Sequence, residues 1–156
     1  MTYTANYAAV RTRYVDDTVA TASPAKLLTM LYDRLLLDLQ RAENEQRAAD
    51  RAAAGVHLTH AQDIVSELAA TLDVSAWDGA QQLLSIYTFL LTELVAANVS
   101  GDADRTASCR ALVEPLADAW HQAAAQLGAT LEPARPASSA AFSGAGAGSF
   151  GELGVG

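Results

Sequence analysis

The sequence predicts an all-α protein, an antiparallel up-down four-helix bundle with a short extra N-terminal helix and a disordered C-terminal tail. Three observations carry this expectation. Alanine and leucine dominate and runs of β-branched residues are absent. Apolar residues recur at helical spacing in four long stretches. Those stretches are separated by short breaks, which favours antiparallel neighbours. The chain divides accordingly into an N-terminal amphipathic segment over 1–17, a bundle domain over 18–130 and a Gly/Ala/Ser-rich tail over 131–156.

The first long helix is expected from Pro24 to about Arg47. Ser23 can accept hydrogen bonds from the free amides of a first turn, and Pro24 suits the first helical position. The stretch that follows is apolar on nearly every side, with Leu27, Leu28, Met30, Leu31, Leu35, Leu36, Leu37 and Leu39. A surface helix needs one apolar stripe, so this one is central or has a second client. Ahead of it, Tyr3, Tyr7, Val10 and Tyr14 share one face of a helix too short to persist alone.

Asp50 suits the N-cap of a second helix over Arg51–Asp73, which carries Leu58, Ala61, Ile64, Val65, Leu68 and Leu72 at helical spacing. Asp78 with Gln81 reads as a capping box for a third helix, Gly79 to Ser100. Its apolar residues, Leu83 to Val95, spread over about twice the roughly 100° arc that one-sided packing requires. Gly101 is the expected stop and Asp102 the cap of a fourth helix from Ala103 to about Leu127. Pro115 should kink that helix, and Gly128 should end it. Beyond Pro133 the chain is too poor in core residues to fold.

Composition excludes several classes of function. A net charge of −8 argues against nucleic acid or anionic lipid as partner. A lone cysteine, Cys109, cannot form an internal bridge and fits a reducing cytosol. No signal peptide is visible and no apolar run is expected to span a membrane, so a soluble cytoplasmic protein is expected.

The search for chemistry is negative. A carboxylate-bridged metal bundle needs two Glu-x-x-His pairs, and the nearest approach is the single Asp118-Ala119-Trp120-His121. His57 and His60 lack a third ligand nearby in sequence and read as surface histidines. Cys109, on the apolar side of its helix, reads as a small core residue. There is no phosphate loop or nucleophile elbow. No catalytic residue, metal or cofactor is assigned, and the protein is expected not to be an enzyme. What needs explaining is surplus apolar surface on the first and third helices, together with a tyrosine-faced segment ahead of them. A groove under a detachable cover accounts for both.

One ordered set of residues runs through the chain: Thr21-Ala22-Ser23-Pro24 leading to Leu28 and Met30-Leu31-Tyr32-Asp33, then Ala61-Gln62-Asp63-Ile64-Val65 followed by Glu67-Leu68. It continues through Tyr87 and Phe89, then Leu94 with Ala97-Asn98, to Asp118-Ala119-Trp120, with tyrosines at 7 and 14 ahead of it. In order and spacing this set resembles the FliS family of flagellar secretion chaperones, and the resemblance covers residues 1 to about 127. It implies a cytosolic chaperone that binds the C-terminal segment of flagellin, prevents its early polymerisation and keeps it competent for flagellar type III secretion. Other flagellar export proteins are implied as further partners, and a monomer or weak homodimer is expected. The side chains assigned to the partner-binding groove are Ile64, Leu68, Leu72, Ile86, Tyr87, Leu90 and Leu94. Tyr7, Val10 and Tyr14 are assigned to the segment that covers it when flagellin is absent. Two other classes stand beside this one: a dimerising helical adaptor with no export role, and a carboxylate-metal bundle enzyme.

Overall fold

The computed structural model describes residues 23–131. The expected N-terminal helix and the expected tail lie outside the described residues. Among these there are four helices and no strand: α1 Pro24–Arg47, α2 Arg51–Thr71, α3 Ala80–Ser100 and α4 Ala103–Leu131. Each helix packs on the next in the chain, and α4 returns onto α1, closing a helical bundle.

Local chemistry sets the ends. The Ser23 hydroxyl accepts from the Lys26 amide at 3.2 Å, with Pro24 in the first turn. The Asp50 carboxylate accepts from the Ala53 amide at 3.0 Å, and Asp102 accepts from the amides of Asp104 and Arg105. Gly101 ends α3 in the left-handed conformation, at φ 70°, with its amide donating to the Ala97 carbonyl. The α1–α2 turn uses the same conformation at Ala49, φ 60°, without glycine's freedom.

Two boundaries differ from the sequence expectation. The N-cap of α3 is Gly79 and no side chain bonds to it, so the Asp78–Gln81 capping box does not form. Trp77 accounts for the glycine, because a Cβ at position 79 would fall 1.9 Å from its ring. α4 runs through both Pro115 and Gly128 to Leu131, since an isolated glycine costs a helix only about 1 kcal/mol.

The core follows a spacing of three and four. It comprises Tyr32, Leu35, Leu39 and Ala42 from α1; Leu58, Ala61, Ile64, Val65 and Leu68 from α2; Leu83, Tyr87, Leu90 and Leu94 from α3; and Cys109, Val113 and Ala117 from α4. This spacing keeps one seam of each helix inward. The α4 side chains are the smallest of the set, so that helix can lie close to its neighbours. At its centre the hydroxyls of Tyr32 and Tyr87 share a hydrogen bond of 2.6 Å. Burial raises both phenol pKa values, so both stay neutral at physiological pH.

Polar side chains tie the helices at defined levels. At one end, Gln46 of α1 donates to the Ala97 carbonyl of α3 and accepts from the Thr106 hydroxyl of α4 at 2.7 Å. Along α1, Glu43 takes hydrogen bonds from Arg47 and Arg110. Burial alone would push the Glu43 carboxyl up, but the two guanidiniums outweigh it and hold the carboxyl below its usual range.

Candidate functional site

Three shallow depressions run together along the second half of α4. The first is lined by Ser23, Ala25, Lys26, Ala124, Leu127 and Gly128. The second shares Ala25, Ala124 and Leu127 with it and adds Leu28, Trp120 and Ala123. The third shares Trp120 and Ala123 and adds Trp77, Leu83, Leu116 and Ala119. Together they form one apolar groove, about 18 Å long at 1.5 Å per residue from Leu116 to Gly128. Its small residues, Ala119, Ala123 and Ala124, leave room beside the larger Leu28, Trp77 and Trp120. Lys26 is its one charged lining residue.

The groove is held by specific contacts. Trp120 leans on Tyr32, ring centres 6.4 Å apart, which joins the groove floor to the core. His121 Nε2 meets Asp33 Oδ1 at 2.6 Å and pins α4 to α1 beside it. This pairing gives His121 a role that the Asp118-x-x-His121 spacing does not suggest. A separate depression between α1 and α2, lined by Leu27, Met30, Leu31 and Glu67, shares no lining residue with the groove.

Of the side chains assigned to a groove from sequence, Ile64, Leu68, Tyr87, Leu90 and Leu94 are buried in the bundle interior. They lie where α2 and α3 pack on each other and on the remaining helices, so they form the seam. Leu72 and Ile86 are half-buried and pack against that core from its edge. Tyr7, Val10 and Tyr14 lie outside the described residues. Trp77, Leu28 and the α4 alanines were not singled out as groove residues. Alanines leave almost no trace in a search for large apolar residues, and only their grouping around Trp120 points to them.

Of the α2 histidines, His60 is exposed, as expected, and His57 is half-buried. Both turn toward α1, where the carboxylate of fully buried Asp38 accepts from His60 Nδ1 and lies 3.7 Å from His57 Nδ1. Arg34 reaches the same carboxylate at 3.3 Å. Among the described residues, no group of three or more His, Cys, Asp or Glu side chains could hold a metal ion. Cys109 is buried, and burial with the Glu93 charge pushes its thiol up to about 11, which leaves it protonated and inert. A further correction concerns α3. Over an 18-residue window its mean hydropathy is 1.5, so by length and composition it is apolar enough to cross a membrane, against the expectation that no run would be.

Comparisons with known proteins agree on one family. The family model described as flagellar protein FliS matches residues 6–127. The flagellar secretion chaperone FliS of Escherichia coli is 32% identical over 110 residues, covering 69% of this chain and 81% of that protein. Its counterpart in Bacillus subtilis is 33% identical over 116 residues, covering 72% and 84%. The Salmonella typhimurium chaperone of the same name is 32% identical over 110 residues, covering 69% and 82%.

Proposed function

The chain belongs to the FliS family of flagellar secretion chaperones, and on that premise we propose that it is a cytoplasmic, non-enzymatic escort of flagellin. It binds the C-terminal segment of flagellin, prevents premature polymerisation and keeps the segment competent for type III secretion. That segment must later pack into a filament, so its apolar face is the hazard to be covered. Coupled folding of such a segment typically buries on the order of 1,000–3,000 Å², enough to offset the cost of ordering it.

The groove along α4 carries this proposal. It is apolar, nearly free of charge and long enough for about three turns of a partner helix, the geometry of helix-in-groove recognition. Leu72 and Ile86 pack at the edge of the core, while the buried Ile64, Leu68, Tyr87, Leu90 and Leu94 belong to the bundle interior that carries the groove. The up-down antiparallel order proposed for the bundle is supported by Gln46, which joins the C-terminal turns of α1 and α3 to the first turn of α4.

Residues 1–17, with Tyr7, Val10 and Tyr14, are assigned the part of a cover. Ser23, the first described residue, lines the groove, which supports this assignment. A self-ligand there keeps the apolar groove shielded until flagellin displaces it.

The test is a titration of a peptide spanning the flagellin C-terminal segment into the full chain and into Ala123→Glu. Ala123 is exposed, so the substitution should leave the fold intact. A carboxylate at the middle of the groove should weaken binding by at least roughly tenfold. Equal affinity of the two proteins would move the partner away from the groove.

A further inference from the structure

α1 carries more apolar side chains than the core and the groove use. Tyr32, Leu35 and Leu39 enter the core, and Ala25 and Leu28 line the groove, whereas Leu27 and Met30 belong to neither. With Leu31, and with Glu67 of α2, they line the separate depression between the two helices, about 390 Å³ in volume. Met30 is 39% exposed there, and Glu67 has no ion pair among the described residues. An apolar cavity of roughly 150 Å³ already accepts benzene, so an aromatic side chain fits this one.

We propose that this depression receives the chain's own C-terminal segment, with Phe142 seated against Leu27, Met30 and Leu31 and Arg135 paired with Glu67. Residues 132–156 lie beyond the stretch matched by the family model. A segment too poor in core residues to fold alone can still anchor through one aromatic ring.

Position supports this occupant. α4 ends at Leu131, and its Leu127 and Gly128 lie beside Ser23, Ala25 and Lys26 at the start of α1. The segment therefore leaves the bundle at the end where Leu27 and Met30 sit, one side of α1 away. Half the girth of a helix with its side chains is under about 20 Å. Residues 132–142 can span up to about 36 Å when extended, so Phe142 reaches the depression with slack.

Charge points the same way. Arg135 is the only cation in residues 132–156, and Glu67 is the one charged residue lining the depression. Placed in the α4 groove instead, Arg135 would meet Lys26, the one charge there. Glu132, just past the end of α4, suits Lys26, so the order of charges along the segment follows the path round α1.

The test places the photoreactive residue p-benzoylphenylalanine at position 30 of the full chain and identifies the cross-linked peptides by mass spectrometry. Mixing isotope-labelled and unlabelled chains separates cross-links within one chain from those between two. Within-chain cross-links to residues 132–156, centred on Phe142, are expected. Glu67 is exposed, so Glu67→Lys should leave the fold intact while setting like charges together. It should lower the yield of these cross-links by roughly threefold or more, as should Arg135→Glu, and the two changes together should restore it. Cross-links that run instead to residues 1–22, which carry Arg11 and Arg13, or to a second copy overturn the proposal. So does a yield that Glu67→Lys leaves unchanged, or one that the double change fails to restore.

Discussion

Trp77, from the loop between α2 and α3, and Trp120, from the middle of α4, line the same apolar depression. They are the only two tryptophans of the chain, so its whole indole fluorescence comes from one side of the groove. Trp77 is 48% exposed, whereas Trp120 is half-buried against Tyr32.

A partner helix seated in the groove should therefore take water away from Trp77. The emission maximum should shift to shorter wavelength on addition of the flagellin segment, and Trp77→Phe should lose most of that shift. A shift of equal size in Trp77→Phe would place the partner away from the loop end of the groove.

The Tyr32–Tyr87 hydrogen bond makes a second prediction. Replacing either tyrosine with phenylalanine leaves the other hydroxyl buried without a partner, at a cost of about 1–3 kcal/mol. Replacing both removes the orphan, so the double variant should be more stable than the sum of the single losses implies. Urea unfolding of the four proteins measures this directly. Strict additivity would show that the two hydroxyls find other partners.

The αL residue Ala49 gives a third. At φ 60° its Cβ crowds the following carbonyl, and glycine removes that contact. Ala49→Gly should stabilise the protein by about 0.5–1 kcal/mol, after allowing for glycine's greater freedom in the unfolded chain. A lower unfolding midpoint would mean that the turn relaxes without strain in solution.

The helices were legible in the sequence because their signals are local. Ser23, Asp50 and Gly101 stand where the caps form, and Leu58, Ala61, Val65 and Leu68 trace the α2 seam by spacing alone. The groove was harder to read. A groove consists of space left by small residues, and Ala119, Ala123 and Ala124 carry no distinctive pattern. The large side chains that attract notice, such as Leu90 and Leu94, are the ones burial consumes first. Asp38 was missed as the partner of His57 and His60 because the contact joins two helices about twenty residues apart, beyond the reach of a local motif.

The central claim is that residues 1–17 cover a groove that flagellin needs. Its most direct test is calorimetric titration of the flagellin C-terminal peptide into the full chain and into a form lacking those residues, with oligomeric state followed by light scattering. A cover lowers apparent affinity by the fraction of protein that is open. The shortened form should therefore bind the peptide equally or more tightly, while losing thermal stability and self-associating more through the exposed groove. Loss of binding by a shortened form that stays folded and monomeric would contradict the account, since the tyrosines would then be direct contacts. Unchanged binding together with unchanged stability would contradict it as well.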